Sequence, residues 1–269
     1  MIGAIIGDIV GSRFEFHNTN TKKFEFFTEE CRFTDDTVMT LAVAESLMRS
    51  RKNNYKDLPS VTARTMHEIG RRYPRAGYGG RFARWMFSEI WIPYNSCGNG
   101  SAMRISAVGD VAESVEEAKK LSAAVTGITH NHPEGMKGAE AAAVAKVMLK
   151  TGSTLSQVES YINDNYYRLD KTVNELREET QGQHGKEICQ VTMPQAFTCL
   201  FEGTDFEDVI RNCISIGGDS DTIAAIAGGI AEAVYPVPEE MQKTAKKFLT
   251  RDLRDIAARW ERFTGGKEG

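Results

Sequence analysis

The chain has 269 residues, 41% hydrophobic and 26% charged, the proportions of an ordinary soluble globular protein. Its formal charge of -4 and isoelectric point near 5.8 argue against nonspecific nucleic-acid binding, which needs a basic surface. Its five cysteines, Cys31, Cys97, Cys189, Cys199 and Cys213, show no CxxC spacing and fit reduced cytosolic thiols better than a disulfide frame, so a cytoplasmic protein is expected.

In chain order, residues 1–10 are apolar but carry Gly3, Gly7 and Asp8, lack a basic leading region and are too short to cross a bilayer. Phe24 and Phe26 alternate briefly, and no series of period-two runs follows. Residues 38–48 read as helix. Glycines then interrupt the helical pattern at Gly77-Tyr78-Gly79-Gly80 and at Gly98-Asn99-Gly100, and such loops often face a site. Ser114-Val115-Glu116-Glu117 reads as a capping box, with Ala118, Leu121, Val125 and Ile128 following at helical spacing. Pro133 suits a first helical turn, residues 136–150 are rich in alanine, and Gly152 is a plausible stop. Residues 170–186 are the most polar stretch, read as a solvated helix and loop. Thr204 and Glu207 suggest a second capping box ahead of Val209, Ile210, Cys213 and Ile214. Residues 223–234 are nearly all small or apolar and predict a buried helix. Pro238 precedes Met241, Ala245, Phe248 and Leu249, and a charged segment with Trp260 closes the chain. The expectation is an all-α protein with residues 1–269 in one domain.

Two acid-rich clusters stand at the starts of two of these helices: Thr34-Asp35-Asp36-Thr37 and Gly217-Gly218-Asp219-Ser220-Asp221-Thr222. Alone, the first reads as a helix N-cap, for which Thr and Asp are preferred. Together they supply carboxylates and hydroxyls with no His or Cys, a donor set for hard divalent cations such as Mg²⁺, Mn²⁺ or Ca²⁺ and not for zinc. Acids at the mouth of a buried helix are costly without compensation, and a bound cation is the simplest form of it. Two clusters in one helical domain could converge on a two-metal site able to activate water.

Near the start, Gly7-Asp8-Ile9-Val10-Gly11-Ser12-Arg13-Phe14-Glu15 reads as a helix start with close-packed glycines, and offers Glu15 as a carboxylate for a metal or for general-base work. Gly98-Asn99-Gly100-Ser101-Ala102-Met103-Arg104 reads as a turn or as a backbone cradle for phosphate or ribose oxygens. It lacks the Gly-Lys-Ser/Thr of a Walker loop. Thr129-His130-Asn131-His132-Pro133 carries two of the five histidines and reads equally as a connecting loop or a ligand contact. His17, His67 and His184 join no constellation and read as structural or surface groups.

Taken in order, the segments GDIVGSRFE, FTDDTVM, GNGSAMR, THNHPEG and GGDSDTIAAIAGGIAEAVY resemble the ADP-ribosylglycohydrolase family, which includes the dinitrogenase reductase-activating glycohydrolases. The resemblance implies a compact orthogonal helical bundle with a binuclear Mg²⁺ or Mn²⁺ centre. It implies Thr34, Asp35, Asp36, Asp219, Asp221 and Thr222 as metal ligands, and Glu15, Asp35 and Asp36 as catalytic groups. Substrate contacts are implied for Ser96, Cys97, Gly98, Asn99, Gly100, Ser101 and Met103, for His130, and for Gly218 and Ser220. The reaction implied is hydrolysis of the glycosidic bond between ADP-ribose and a modified protein side chain or small molecule. The rival readings are a crystallin-like or ADP-ribose-binding protein without turnover, and a hydrolase of another ribosylated or phosphorylated small molecule.

Overall fold

The computed structural model describes residues 1–179 and 186–265. Fourteen α-helices follow one another in these residues: α1 (Ile2–Gly11), α2 (Asp35–Ser50), α3 (Leu58–Gly70), α4 (Gly80–Phe87), α5 (Ser106–Val111), α6 (Val115–Thr126), α7 (Pro133–Lys150), α8 (Leu155–Asn165), α9 (Val173–Glu179), α10 (Cys189–Phe201), α11 (Phe206–Ser215), α12 (Ser220–Ala231), α13 (Glu239–Phe248) and α14 (Arg251–Gly265). An isolated bridge between Gly98 and Ile188 is the nearest approach to sheet among the described residues. Phe24 and Phe26 form no strand. Phe24 packs against Phe14 and Phe26 against Phe27. The all-α expectation is met, and one continuous apolar core runs through the helices. No described helix is long and apolar enough to cross a membrane.

Helix α12 is the centre of this core. Every residue from Ser220 to Ala231 is buried, and the helix touches α1, α2, α5, α7, α10 and α11. Its composition explains this. Alanines and glycines let six neighbours approach, and the absence of polar side chains after Thr222 leaves no face that needs water. The helix ends at Ala231, three residues before the sequence-based limit, and Val234 is exposed.

Two helix starts follow the sequence and one departs from it. Ser114 caps α6 by accepting from Glu117 N at 3.1 Å, but Glu117 Oε2 reaches back to Glu113 N at 2.8 Å, one residue before the cap. Helix α7 begins at Pro133, as the missing proline N–H allows, and His132 Nδ1 caps it from Glu134 N at 3.1 Å. The Thr204–Glu207 box does not form. Asp205 is the N-cap of α11, accepting from Asp208 N at 2.8 Å, and Asp208 reaches back to Thr204 N at 3.2 Å. Asp outranks Thr as a cap, and Asp205 is one residue nearer the apolar run. The Trp260 segment, unassigned from sequence, is the amphipathic α14, which buries Leu253, Ile256, Ala257 and Trp260 at helical spacing. Of the 170–186 stretch, residues 173–179 are helix α9. His184 lies outside the described residues. His17 is exposed, and His67 is buried between Trp85 and Trp91 with ring centroids 4.4 and 4.1 Å away.

Candidate active site

The site is built on a close contact between helices α1 and α12. Helix α1 carries glycine at every fourth position, so Gly3, Gly7 and Gly11 form one stripe. That stripe lies antiparallel on α12. A Cβ added at Gly3 would sit 2.2 Å from Gly228 O, one at Gly7 2.1 Å from Ala224 O, and one at Gly11 2.5 Å from Asp221 Cα. No side chain fits between the two backbones. This contact carries Asp8, the one charged residue of α1, to the acid cluster that opens α12.

Asp8 is fully buried and accepts three hydrogen bonds from the start of α2: Thr34 N at 2.9 Å, Thr34 Oγ1 at 2.7 Å and Thr37 N at 3.1 Å. It therefore caps α2 from a different helix, where the orphan N–H groups and the positive end of the dipole favour an acid. Thr34 is also the local N-cap, accepting from Asp36 N at 3.3 Å. The capping reading of this cluster is therefore met.

The two sequence clusters meet across 186 residues, where Thr222 Oγ1 donates to Asp36 Oδ2 at 3.2 Å. Gly217 and Gly218, both at φ near +74 and +73, turn the chain into α12 through a conformation that suits glycine. Asn18 braces this turn, accepting from Gly218 N at 3.1 Å and donating to Gly218 O at 3.0 Å. Asp219 then accepts from Asn99 Nδ2 at 2.5 Å, which ties the GNGSAMR turn to the acids.

Two triads of carboxylates result. Oxygens of Asp8, Asp36 and Asp221 lie within 4.8 Å of one another, as do those of Glu15, Asp219 and Asp221. Asp221 belongs to both. Burial, reinforced by neighbouring acids, raises the pKa of Asp35, Asp36 and Asp221 well above the usual range, and burial also raises Asp8 and Asp219. Half-buried Glu15 is lifted to about 7 by burial and then by Asp219. Asp36 Oδ1 is buried with no hydrogen-bond partner. An orphaned carboxylate oxygen, an all-oxygen donor set and an acid shared between two triads fit a pair of hard divalent cations.

The acids form one wall of a cavity of about 260 Å³. The lining also carries cationic and aromatic side chains: Arg81, Phe82, Tyr94, Arg104 and His130, with Met103. Both glycine loops seen in the sequence border it, through Gly77, Gly79 and Gly80 and through Gly98 and Gly100. Burial brings Arg104 down to about 10.

Among the residues singled out from sequence, Glu15, Asp35, Asp36, Ser96, Gly98, Asn99, Gly100, Met103, His130, Asp219, Asp221 and Thr222 line this cavity. Thr34, Cys97, Ser101, Gly218 and Ser220 stand behind it. Thr34 binds Asp8, Cys97 O accepts from Cys189 N at 3.0 Å, Ser101 Oγ donates to Gly98 O at 3.2 Å, and Gly218 and Ser220 are held beside Asn18. The backbone cradle is partly closed as well. Gly98 N already donates to Ser96 Oγ at 3.1 Å and Asn99 N to Glu187 O at 3.2 Å. Sequence reasoning missed Asp8, Asn18, Arg81, Phe82, Tyr94, Arg104 and Glu187. Asp8 had a signal, a lone acid in an otherwise apolar helix, and Arg104 closes the GNGSAMR segment. Tyr94 and Glu187 had none.

Comparison with known proteins agrees with this architecture. The ADP-ribosylglycohydrolase family model matches residues 1–268. Human ADP-ribosylhydrolase ARH3 is 26% identical over 94% of this chain and 90% of its own length. The ADP-ribosylarginine hydrolase Tri1 of Pseudomonas putida is 23% identical over 91% of this chain and 73% of its own length. A solved structure of an ADP-ribosylglycohydrolase-related protein complex has the same fold, with a TM-score of 0.67 at 20% identity over 98% of this chain and 97% of that one. With its helical fold, its acid cluster and a family match that runs nearly end to end, the chain belongs to the ADP-ribosylglycohydrolases.

Proposed function

We propose that the protein is a metal-dependent hydrolase that cleaves the glycosidic bond between ADP-ribose and a modified protein side chain or related molecule, releasing ADP-ribose. The observation that carries the reading is the sharing of Asp221 by two carboxylate triads at the floor of the cavity. Asp8, Asp36 and Asp221 would hold one Mg²⁺ or Mn²⁺ and Glu15, Asp219 and Asp221 the other, with Asp35, Thr34 and Thr222 around them. Such ions supply electrophilic charge for gripping a ribose diol and for acidifying water.

The remaining chemistry belongs to the chain. Glu15, a half-buried carboxylate on the cavity lining beside Asp219 and Asp221, can take a proton from water and return one to the leaving group. Asp35 and Asp36, beside it, are the further candidates for that transfer. The carboxylates would stabilise positive charge developing on the sugar as the bond breaks. Arg81 adds a cation to the cavity lining, where a pyrophosphate would need one. Asn99, fixed by Asp219 and by Thr192 Oγ1 at 2.9 Å, also lines the cavity.

A panel of defined linkages (arginine, serine, other side chains, a nucleic-acid end, a small molecule) assayed with and without chelator tests the proposal. The arginine linkage is included because Tri1 is named for it. Free ADP-ribose should appear from at least one linkage, only with Mg²⁺ or Mn²⁺. No release from any of them, or release of inorganic phosphate instead, refutes it.

A further inference from the structure

Arg104 is an expensive residue to place where it is. Its side chain is 1% exposed, and among the described residues no carboxylate pairs with it. Its guanidinium stands over the Phe82 ring at 5.6 Å, its Nε has no partner, and its Nη2 donates to Thr129 Oγ1 at 2.6 Å. Guanidinium groups only donate. Thr129 therefore accepts from Arg104, and among the described residues His130 Nδ1, 2.8 Å away, is the one acceptor in reach of its hydroxyl proton. In a neutral imidazole whose Nδ1 accepts, the proton sits on Nε2. Burial, and then the charges of Arg104 and Arg81, keep the ring neutral by holding its pKa well below the ordinary value. Nε2 points at the glycine turn, 3.3 Å from where a Cβ would stand on Gly100 and 3.6 Å from one on Gly98. Both glycines and His130 line the cavity.

We propose that Arg104 and Thr129 are positioning residues: they fix His130 as its Nε2–H tautomer, so that the ring meets the ADP-ribosyl ligand as a hydrogen-bond donor to an oxygen and not as a base. The identity of the ligand rests on the functional reading above. The tautomer does not. Without the Thr129 hydroxyl the ring is free to present a lone pair to the same oxygen, which repels it.

The experiment uses the full chain with ¹⁵N-labelled histidine. Imidazole ¹⁵N–¹H correlation spectra of the wild type should show Nε2 protonated and Nδ1 accepting for His130. In Thr129→Val the ring should become a mixture of tautomers, and the Kd for ADP-ribose should rise about tenfold, the loss of roughly one well-made hydrogen bond. Thr129→Ser, which keeps the hydroxyl, should restore both. Mn²⁺ affinity should stay unchanged in Thr129→Val, because Thr129 bonds Arg104 and His130 and none of the acids of the two triads, whereas a general loosening of the fold would lower both affinities. An Nδ1–H ring in the wild type, or an unchanged tautomer and Kd in a folded Thr129→Val, overturns the proposal. The two readings separate cleanly. A wild type with the Nε2–H ring that binds no ADP-ribose refutes the functional reading and leaves the positioning in place, while ADP-ribose binding by an Nδ1–H ring does the reverse.

Discussion

Adding one methyl group at Gly7 should dismantle the proposed metal site from behind. The Cβ of Gly7→Ala would lie 2.1 Å from Ala224 O and 2.3 Å from Ala224 C, where ordinary contact begins near 3.4 Å. Both obstacles are backbone of the central helix, so neither can rotate away, and α1 and α12 must part by more than an ångström. Asp8 is the next residue on α1 and Asp221 sits on α12, so the same shift opens the Asp8–Asp36–Asp221 triad. Metal–oxygen distances tolerate only about 0.2 Å. Overpacking of this kind costs about 1–3 kcal/mol, which for a chain of this size lowers Tm by roughly 3–10 °C. Isothermal titration with Mn²⁺ and a melting curve measure the two effects. Gly265→Ala, where an added Cβ meets nothing within 4 Å, is the control. We expect Gly7→Ala to fold, to melt lower and to lose at least tenfold in Mn²⁺ affinity. Wild-type Tm and wild-type affinity in that variant would refute the claim that the glycine stripe sets the site.

Other parts of the account predict equally definite outcomes. Asp221→Asn removes the acid common to both triads, and should cut ADP-ribose release by a thousandfold or more while leaving the circular dichroism spectrum unchanged. The raised pKa values fix a pH dependence. An acid that holds its proton longer when folded than when unfolded makes the fold lose stability as pH climbs from the unfolded pKa, about 4, through the folded one. The metal-free protein should therefore melt at progressively lower temperature between pH 5 and pH 8, with Glu15 titrating at about 7. Mn²⁺ should raise Tm more at pH 8 than at pH 5, and a metal-induced shift that is flat or falls with pH would contradict this. At the other end of α12, Lys146 is 2% exposed and bridges Asp110 at 2.5 Å and Glu232 at 2.6 Å. Lys146→Met leaves Asp110 and Glu232 to the Met1 ammonium and should cost about 1–3 kcal/mol in chemical denaturation, with turnover below the melting range unaffected.

Much of the fold was legible because its signals are local. The alanine-rich run of α7, the small-residue run of α12 and the Pro133 start each depend on neighbours within a few residues. The Thr204 cap moved by one position because two adjacent polar residues competed for the same N–H, a choice that sequence spacing alone does not settle. The Trp260 segment hid its helix because its charged face outweighs its four buried residues in composition. In the site, the two acid clusters were visible because each carries its chemistry in consecutive residues. Asp8 was visible as an oddity, but its role needed the contact of α1 with α12, which places Gly7 against Ala224 across more than two hundred residues. Arg81 and Tyr94 were silent for the same reason, and Arg104 showed only as the last residue of the GNGSAMR turn. Each is an unremarkable residue locally and becomes part of a wall only when α4, the residue 94 loop and the GNGSAMR turn are brought together.

The central claim is that two ions share Asp221 at the floor of the cavity. Anomalous diffraction from crystals soaked in Mn²⁺ tests it most directly. The account predicts two peaks roughly 3.5–4 Å apart, one against Asp8 and Asp36, one against Glu15 and Asp219, both touching Asp221. A cavity without an anomalous peak at saturating Mn²⁺, or a single peak away from Asp221, would contradict it.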